Sequence, residues 1–202
     1  MRTLTLDLLR HGETTASGIY QGRTDVPLSE KGSQQMRQAL SKGVSWQRIL
    51  CSPLQRCRCP AEDAIGRSGL ALQSEDWLQE YDFGDWDGRA LADVYNEQPE
   101  QVDAFWRDPQ TNPASGGERI DDFSKRVLIG RDRLLDAGDS HLLLVTHGGV
   151  IRALIGDCLG MKPAQWSRLK LDHAHFTRLN YYTDRDQVWP ELVCCNTATL
   201  PD

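Results

Sequence analysis

Residues 141–149 read HLLLVTHGG, and residues 3–12 read TLTLDLLRHG. Each is an apolar run of strand length that breaks at a histidine followed by glycine. In 141–146 the apolar positions are continuous rather than alternating, the mark of a strand buried on both faces of a sheet. A helix stripe follows the second run at Val150, Ile151, Leu154, Ile155 and Leu159. Before it, Ile120, Phe123, Val127, Leu134 and Leu135 predict a helix over 118–136 that Gly138 stops. After the first run, a polar loop leads to Ser29, which can cap a helix over roughly 29–42 with Met36, Ala39, Leu40 and Val44 at helical steps and Gly43 near its end. Residues 48–51 read as a short strand. Ser52 and Pro53 then offer an N-cap and a first-turn proline to a helix traced by Leu54, Cys57, Ala61, Ala64 and Ile65. Pro60 falls inside that helix, where its ring should clash with the Arg56 carbonyl and kink the chain. Segments 174–183 and 187–195 read as a hairpin turning at Asp184, Arg185 and Asp186. Strand and helix alternate, which predicts an α/β fold: a three-layer α/β/α sandwich on a mostly parallel open sheet with an antiparallel edge, built as a single domain over 1–202.

Composition bounds the function. Of 202 residues, 39% are hydrophobic and 26% charged, enough to bury a substantial core and far from the signature of disorder. The net charge of -6 leaves no overall basic field for nucleic acid or an anionic membrane, so any anion site must be locally positive. No apolar run has membrane-spanning length, and the first ten residues lack the regions of a signal peptide, so a soluble, cytoplasmic protein is expected. Cys51, Cys57, Cys59, Cys158, Cys194 and Cys195 are too dilute for a disulfide scaffold and do not form paired C-x2-C zinc spacing. They read as reduced thiols, most of them core residues.

In open α/β sheets the ligand crevice lies outside the C-terminal strand ends. His11 and His147 both occupy that place, so two imidazoles can face one another across one rim. Arg10 adjoins His11, and Arg56 lies one turn into the helix expected to begin at Ser52. Arginine outnumbers lysine 18 to 5, so position rather than residue type singles these two out as forked phosphate donors. A helix N-terminus near Gly148 would add backbone donors. Residues 75–88 (EDWLQEYDFGDWDG) pack six carboxylates and four aromatics into 14 positions. A carboxyl set against aromatic rings near a bound phosphate is pushed toward protonation and suits a general acid, and Glu80 is the residue chosen.

Four motifs taken together resemble the histidine phosphatases, the phosphoglycerate mutase-like superfamily. They are residues 9–14 (LRHGET), 52–56 (SPLQR), 78–88 (LQEYDFGDWDG) and 145–149 (VTHGG), in the order that family shows. The resemblance implies a metal-independent, cofactor-free enzyme acting on a small phosphate ester. His11 would accept the phosphoryl group, Arg10, Arg56 and His147 would bind its oxygens, and Glu80 would protonate the leaving oxygen. Water would then hydrolyse the phosphohistidine. Gln21 and Gly22 match a phosphate- or substrate-contacting segment, and Gly116, Gly117 and Glu118 match another near the pocket. Ser17 stands where many members place a phosphate-contacting asparagine. His173 and His175 are expected to share one face of the C-terminal strand in a structural role, with His173 at the pocket mouth as the alternative.

The short span from Glu80 to His147 favours a phosphatase over the cofactor-dependent mutases, which carry an insertion there. Residues 78–88 and the tryptophan-containing region after them look most like the alpha-ribazole-5'-phosphate phosphatases of cobalamin nucleotide-loop synthesis. A broad-specificity or sugar-phosphate phosphatase, or a phosphoglycerate mutase, stays open. So does a catalytically silent phospho-ligand-binding protein, although both His11 and Glu80 are present.

Overall fold

The computed structural model describes residues 1–41, 44–185 and 187–201. The chain runs β1 (Arg2–Arg10), α1 (Glu30–Leu40), β2 (Arg48–Cys51), α2 (Gln55–Ser68), β3 (Ala71–Ser74), α3 (Leu91–Glu97), α4 (Pro99–Arg107), α5 (Ile120–Ala137), β4 (His141–Thr146), α6 (Gly148–Leu159), β5 (Phe176–Asp184) and β6 (Gln187–Thr197). Short 3-10 turns at Asp76–Leu78, Gly84–Trp86 and Pro163–Arg168 complete it.

One six-stranded sheet has the order β3-β2-β4-β1-β5-β6. The first four strands are parallel, and β5 and β6 add an antiparallel edge. Two hydrophobic clusters divide the strand residues by alternation. Leu4, Leu6, Leu8, Leu142 and Leu144 pack with α5 and α6 on one face. Leu9, Ile49, Cys51, Leu143 and Val145 pack with α1 and α2 on the other. The continuous apolar run of β4 follows from this, since both of its faces are covered.

Ser29 caps α1 as expected, accepting from the Gly32 N–H at 3.0 Å, and Gly138 ends α5 in the left-handed region at φ 87°. The expected stop at Gly43 and the Asp186 position of the hairpin turn lie outside the described residues. The helix after β2 starts later than the sequence suggests, at Gln55, with Leu54 in the cap position. Ser52 follows directly on β2, its N–H reaching the Val145 carbonyl at 3.0 Å, and its hydroxyl accepts from the Leu54 N–H at 3.3 Å, one residue ahead of the helix, so it is not that helix's cap. Helix α2 continues through Pro60 to Ser68. The region after residue 88, read as tryptophan-rich and helical, forms α3 and α4. Strand β3, on the edge beside β2, carries no sequence signal beyond its short length. Among the described residues no helix is long and apolar enough to cross a membrane.

Alternation also places one carboxylate of β1 inside the α1/α2 layer. Asp7 is fully buried and accepts from Arg178 Nε (2.7 Å), Trp46 Nε1 (2.7 Å) and His141 Nε2 (2.8 Å). Burial alone would raise its pKa, but the hydrogen bonds from His141, Arg178 and Trp46 outweigh it and hold the carboxyl below its ordinary 3.8. A lowered folded pKa stabilises above the unfolded value, so this contribution is present above pH 3.8 and lost as the pH falls through the lower folded value. Asp7→Asn is expected to cost about 3 kcal/mol at neutral pH, because it removes the buried carboxylate charge that Arg178 faces and leaves one amide oxygen for three donor side chains, and urea denaturation of the variant against the parent measures this.

Candidate active site

Strand register brings the two histidines together. In the parallel β1/β4 pair, Arg10 lies opposite Thr146, so the next residues, His11 and His147, leave the sheet side by side. The His11 N–H bonds the Thr146 carbonyl at 3.0 Å, and the two imidazoles meet edge to face with centroids 5.2 Å apart. The β2/β4 pair sets Cys51 opposite Val145 and carries Ser52 to the same rim. Gly12 then lets the loop turn tightly against α1: a Cβ there would sit 2.3 Å from the Gly32 carbonyl oxygen.

Hydrogen bonds fix both rings. His11 Nδ1 is 2.8 Å from the Gly12 carbonyl, which can only accept, so Nδ1 carries the proton and Nε2 keeps a free lone pair. Arg56 Nε donates to His147 Nδ1 at 3.2 Å, which puts the His147 proton on Nε2, 2.8 Å from Ser52 Oγ. Burial, aided by the charges of Arg56 and Arg10, pushes the His11 pKa well below 6.5. His147 is shifted the same way by burial, then by Arg56, His11 and Arg10. Two neutral imidazoles thus stand beside two permanent cations.

Arg56 has no exposed surface. Besides His147 it reaches the carbonyls of Thr24 (2.8 Å), Gly22 (2.7 Å) and Gln21 (3.3 Å), so the kink expected at Pro60 does not keep it from the site. The loop supplying those carbonyls is tied in turn to Asp87, which accepts from the N–H groups of Gly22 at 3.3 Å and Thr24 at 3.0 Å and from that of Arg23. The Gln21 side chain is turned inward onto Thr14 Oγ1 (2.8 Å) and the Ala16 carbonyl. Gln21 and Gly22 therefore lie at the rim, with their carbonyls on Arg56. Ser17 is exposed in the turn before Gly18.

Glu80 approaches from the far side. One carboxylate oxygen accepts from the Tyr81 N–H and the other from the Gly149 N–H, each at 3.0 Å. The N-terminus of α6 therefore directs a donor at the carboxyl of Glu80, where the sequence suggested donors for a bound anion. A Cβ at Gly149 would stand 2.1 Å from Glu80 Oε1, so any larger residue there would displace the Glu80 carboxylate. Arg10 bonds the Leu171 carbonyl through Nη1, and its buried Nε has no partner among the described residues. Arg152, on the second turn of α6, donates to the Leu169 carbonyl at 3.0 Å and lines the cavity beside Glu80.

His173 corrects the sequence reading. Strand β5 begins only at Phe176, and Ala174 holds a turn at φ 54° with its N–H on the Arg10 carbonyl at 3.0 Å. His173 and His175 therefore share no strand face, and the His173 ring lies 5.5 Å from that of His11. Burial and the Arg10 charge push its pKa down to about 4. Ser52, Asp87 and Arg152 are further contributors the sequence did not assign. Ser52 stood in a quoted motif but read as a cap, and Asp87 was one of six similar carboxylates.

As a nucleophile His11 would react in its neutral form, which a folded pKa below 6.5 keeps available under mildly acidic conditions. The acid limb of kcat/KM, corrected for the second ionisation of the ester, is expected well below pH 6.5. A limb at 6.5 in a pH–rate profile would contradict the buried, cation-flanked imidazole.

The histidine phosphatase superfamily (branch 1) matches residues 6–190. An adenosylcobalamin/alpha-ribazole phosphatase of Escherichia coli is 32% identical over 182 residues, covering 88% of this chain and 90% of that protein. A Salmonella choleraesuis protein described as a probable phosphoglycerate mutase is 30% identical over 88% of this chain and 85% of its own length. Among solved structures, the alpha-ribazole phosphatase of Shigella flexneri superposes with a TM-score of 0.85 at 29% identity, covering 98% of this chain and 99% of that one. A mycobacterial glucosyl-3-phosphoglycerate phosphatase gives 0.84 at 29% identity over 97% of this chain and 100% of that one. The chain belongs to the histidine phosphatase superfamily, and it is a phosphoric monoester hydrolase.

Proposed function

We propose that hydrolysis proceeds through a phosphohistidine on His11 and that the physiological ester is alpha-ribazole 5'-phosphate, in cobalamin nucleotide-loop synthesis. The mechanism rests on one observation: Nδ1 of His11 is committed to the Gly12 carbonyl, so Nε2 is the nucleophile and is neutral. Nε2 forms the N–P bond while the ester P–O bond breaks, and Glu80 delivers its proton to the departing oxygen. Arg10, the remaining N–H of Arg56 and His147, whose Nε2–H would turn from Ser52 Oγ to the substrate, take up the charge on the phosphoryl oxygens, the main demand of a loose transition state. Water then attacks phosphorus, gives a proton to the Glu80 carboxylate, and the N–P bond breaks to release phosphate and neutral His11.

The choice of ester is supported by the alpha-ribazole phosphatases among the relatives and by the cavity on the leaving-group side. About 360 Å³ in volume, it is bordered by Glu80 and Gly149, and Tyr81, Phe83, Phe105, Trp106, Phe123 and Trp166 lie on its wall. Arg152 is the one cation on that wall among the described residues. Such a lining suits the flat aromatic base of a nucleotide-like alcohol better than the carboxylate of a glycerate ester, which would have to shed water against aromatic rings.

Two measurements test this reading. His11→Ala is expected to abolish turnover while inorganic phosphate still binds, and Glu80→Gln to slow alkyl phosphates far more than activated aryl phosphates; undiminished hydrolysis by the first variant, or equal losses in the second, would reject the assigned roles. In a kcat/KM panel, alpha-ribazole 5'-phosphate is expected to exceed 3-phosphoglycerate and glucosyl-3-phosphoglycerate by roughly ten-fold or more. Preference for either acid-bearing ester would overturn the choice of substrate and leave the chemistry intact.

A further inference from the structure

Residues 77–82 carry the candidate acid without belonging to the sheet. From a 3-10 turn they run on as irregular chain, so their backbone carbonyls have no ladder partners and must find others. Leu78 is tied to β4, its carbonyl accepting from Thr146 Oγ1 at 2.8 Å. Arg126, on the second turn of α5, takes three of the remaining carbonyls. Nη1 donates to Trp77 and Gln79 and Nη2 to Glu80, each at 2.9 Å. Its other two N–H groups form a fork on Glu118, Nε to Oε1 at 2.7 Å and Nη2 to Oε2 at 3.0 Å. All five guanidinium donors are thereby used. Glu118 closes the frame: its N–H donates to the Asp82 carbonyl at 3.0 Å, and Oε2 accepts from the Asp82 N–H at 3.4 Å. This gives the Gly116-Gly117-Glu118 segment a physical task that its sequence left unspecified.

We infer that Arg126 is a positioning residue for Glu80, holding the carboxyl where the leaving oxygen departs. The inference rests on Glu80 being the general acid. Arg126 lies among the residues of a separate surface groove with Arg23, Glu75 and Arg133, so it meets the reaction through what it holds: chiefly the acid's segment, and also the Phe123 ring, over which its guanidinium lies at 4.7 Å. A planar five-donor fork meets three carbonyls and a carboxylate at once, which the compact ammonium of lysine cannot do.

The consequence is a leaving-group signature. A misplaced acid slows esters whose alcohols need a proton and spares those whose alcohols do not. Arg126→Met and Arg126→Lys are compared with the parent on an alkyl phosphate and on p-nitrophenyl phosphate, alone and combined with Glu80→Gln. Each Arg126 variant is expected to lose roughly ten-fold or more extra kcat on the alkyl ester, while phosphoenzyme formation from the aryl ester persists. In the Glu80→Gln background the added change should be small, because the acid is already absent. If the Arg126 variants do not fold, Glu118→Gln, which weakens the fork and keeps the guanidinium, should show the same selective loss in smaller measure. Equal losses on both esters, or losses that add to Glu80→Gln, would overturn the positioning role. Were Glu80→Gln itself to show no leaving-group dependence, the acid assignment would fall, and the positioning role with it.

Discussion

A guanidinium with no surface in contact with water must find an acceptor for each N–H it brings inside. For Arg56 the carbonyls of Gln21, Gly22 and Thr24 and the Nδ1 of His147 take four of the five N–H groups, and the fifth, on Nη1, is left for a bound anion. That requirement joins three parts of the chain that are far apart in sequence: the loop after β1, the first turn of α2, and the end of β4. It also explains why Asp87 grips the amides of Gly22, Arg23 and Thr24, since a loop that presents its carbonyls inward turns its N–H groups toward another acceptor. The positive side of the site is rigid because the charge that makes it positive is also its principal crosslink.

The same economy recurs on the leaving-group side, with a second arginine and a second irregular segment. Arg126 and Glu118 provide for residues 77–82 what Arg56 and Asp87 provide for residues 21–24. Between the two frames lie His11 and His147, kept neutral by burial and by cations they cannot escape. Neutrality serves the chemistry, because a protonated imidazole has no lone pair to offer phosphorus. An otherwise acidic protein thereby holds a site suited to a dianion, with its charge confined to the rim of one sheet.

On the proposed reading, the cavity beyond Glu80 would add selectivity to this common chemistry. Its aromatic residues come from the acid's own segment, from α4 and α5, and from the turn after α6, and they pack edge to face, as Tyr81 does on Phe123 with centroids 5.6 Å apart. Relatives with this fold bear the names of several different phosphate-ester enzymes. The phosphoryl end of the site is set by strand ends, whereas the alcohol end is set by elements outside the sheet, where side chains vary without disturbing the register.

Much of this was legible in the residues themselves. Continuous apolarity in 141–146, the Ser29 cap, the Gly138 stop and the paired His-Gly breaks determined strands, helices and the rim on which His11 and His147 stand, because those signals act over a few residues. The late start of α2, the turn that sets His173 over His11, and the exposure of Ser17 were decided elsewhere: by strand register, by the Ala174 N–H on β1, and by the inward fold of Gln21. Likewise Glu80 could be picked from the six carboxylates of residues 75–88 by its setting and motif, but nothing in the sequence marked Asp87 as the one that lies under the loop. Which imidazole nitrogen carries a proton, and which arginine binds ligand or backbone, depends on atoms brought within about 3 Å by distant segments. Only the tertiary structure brings them there.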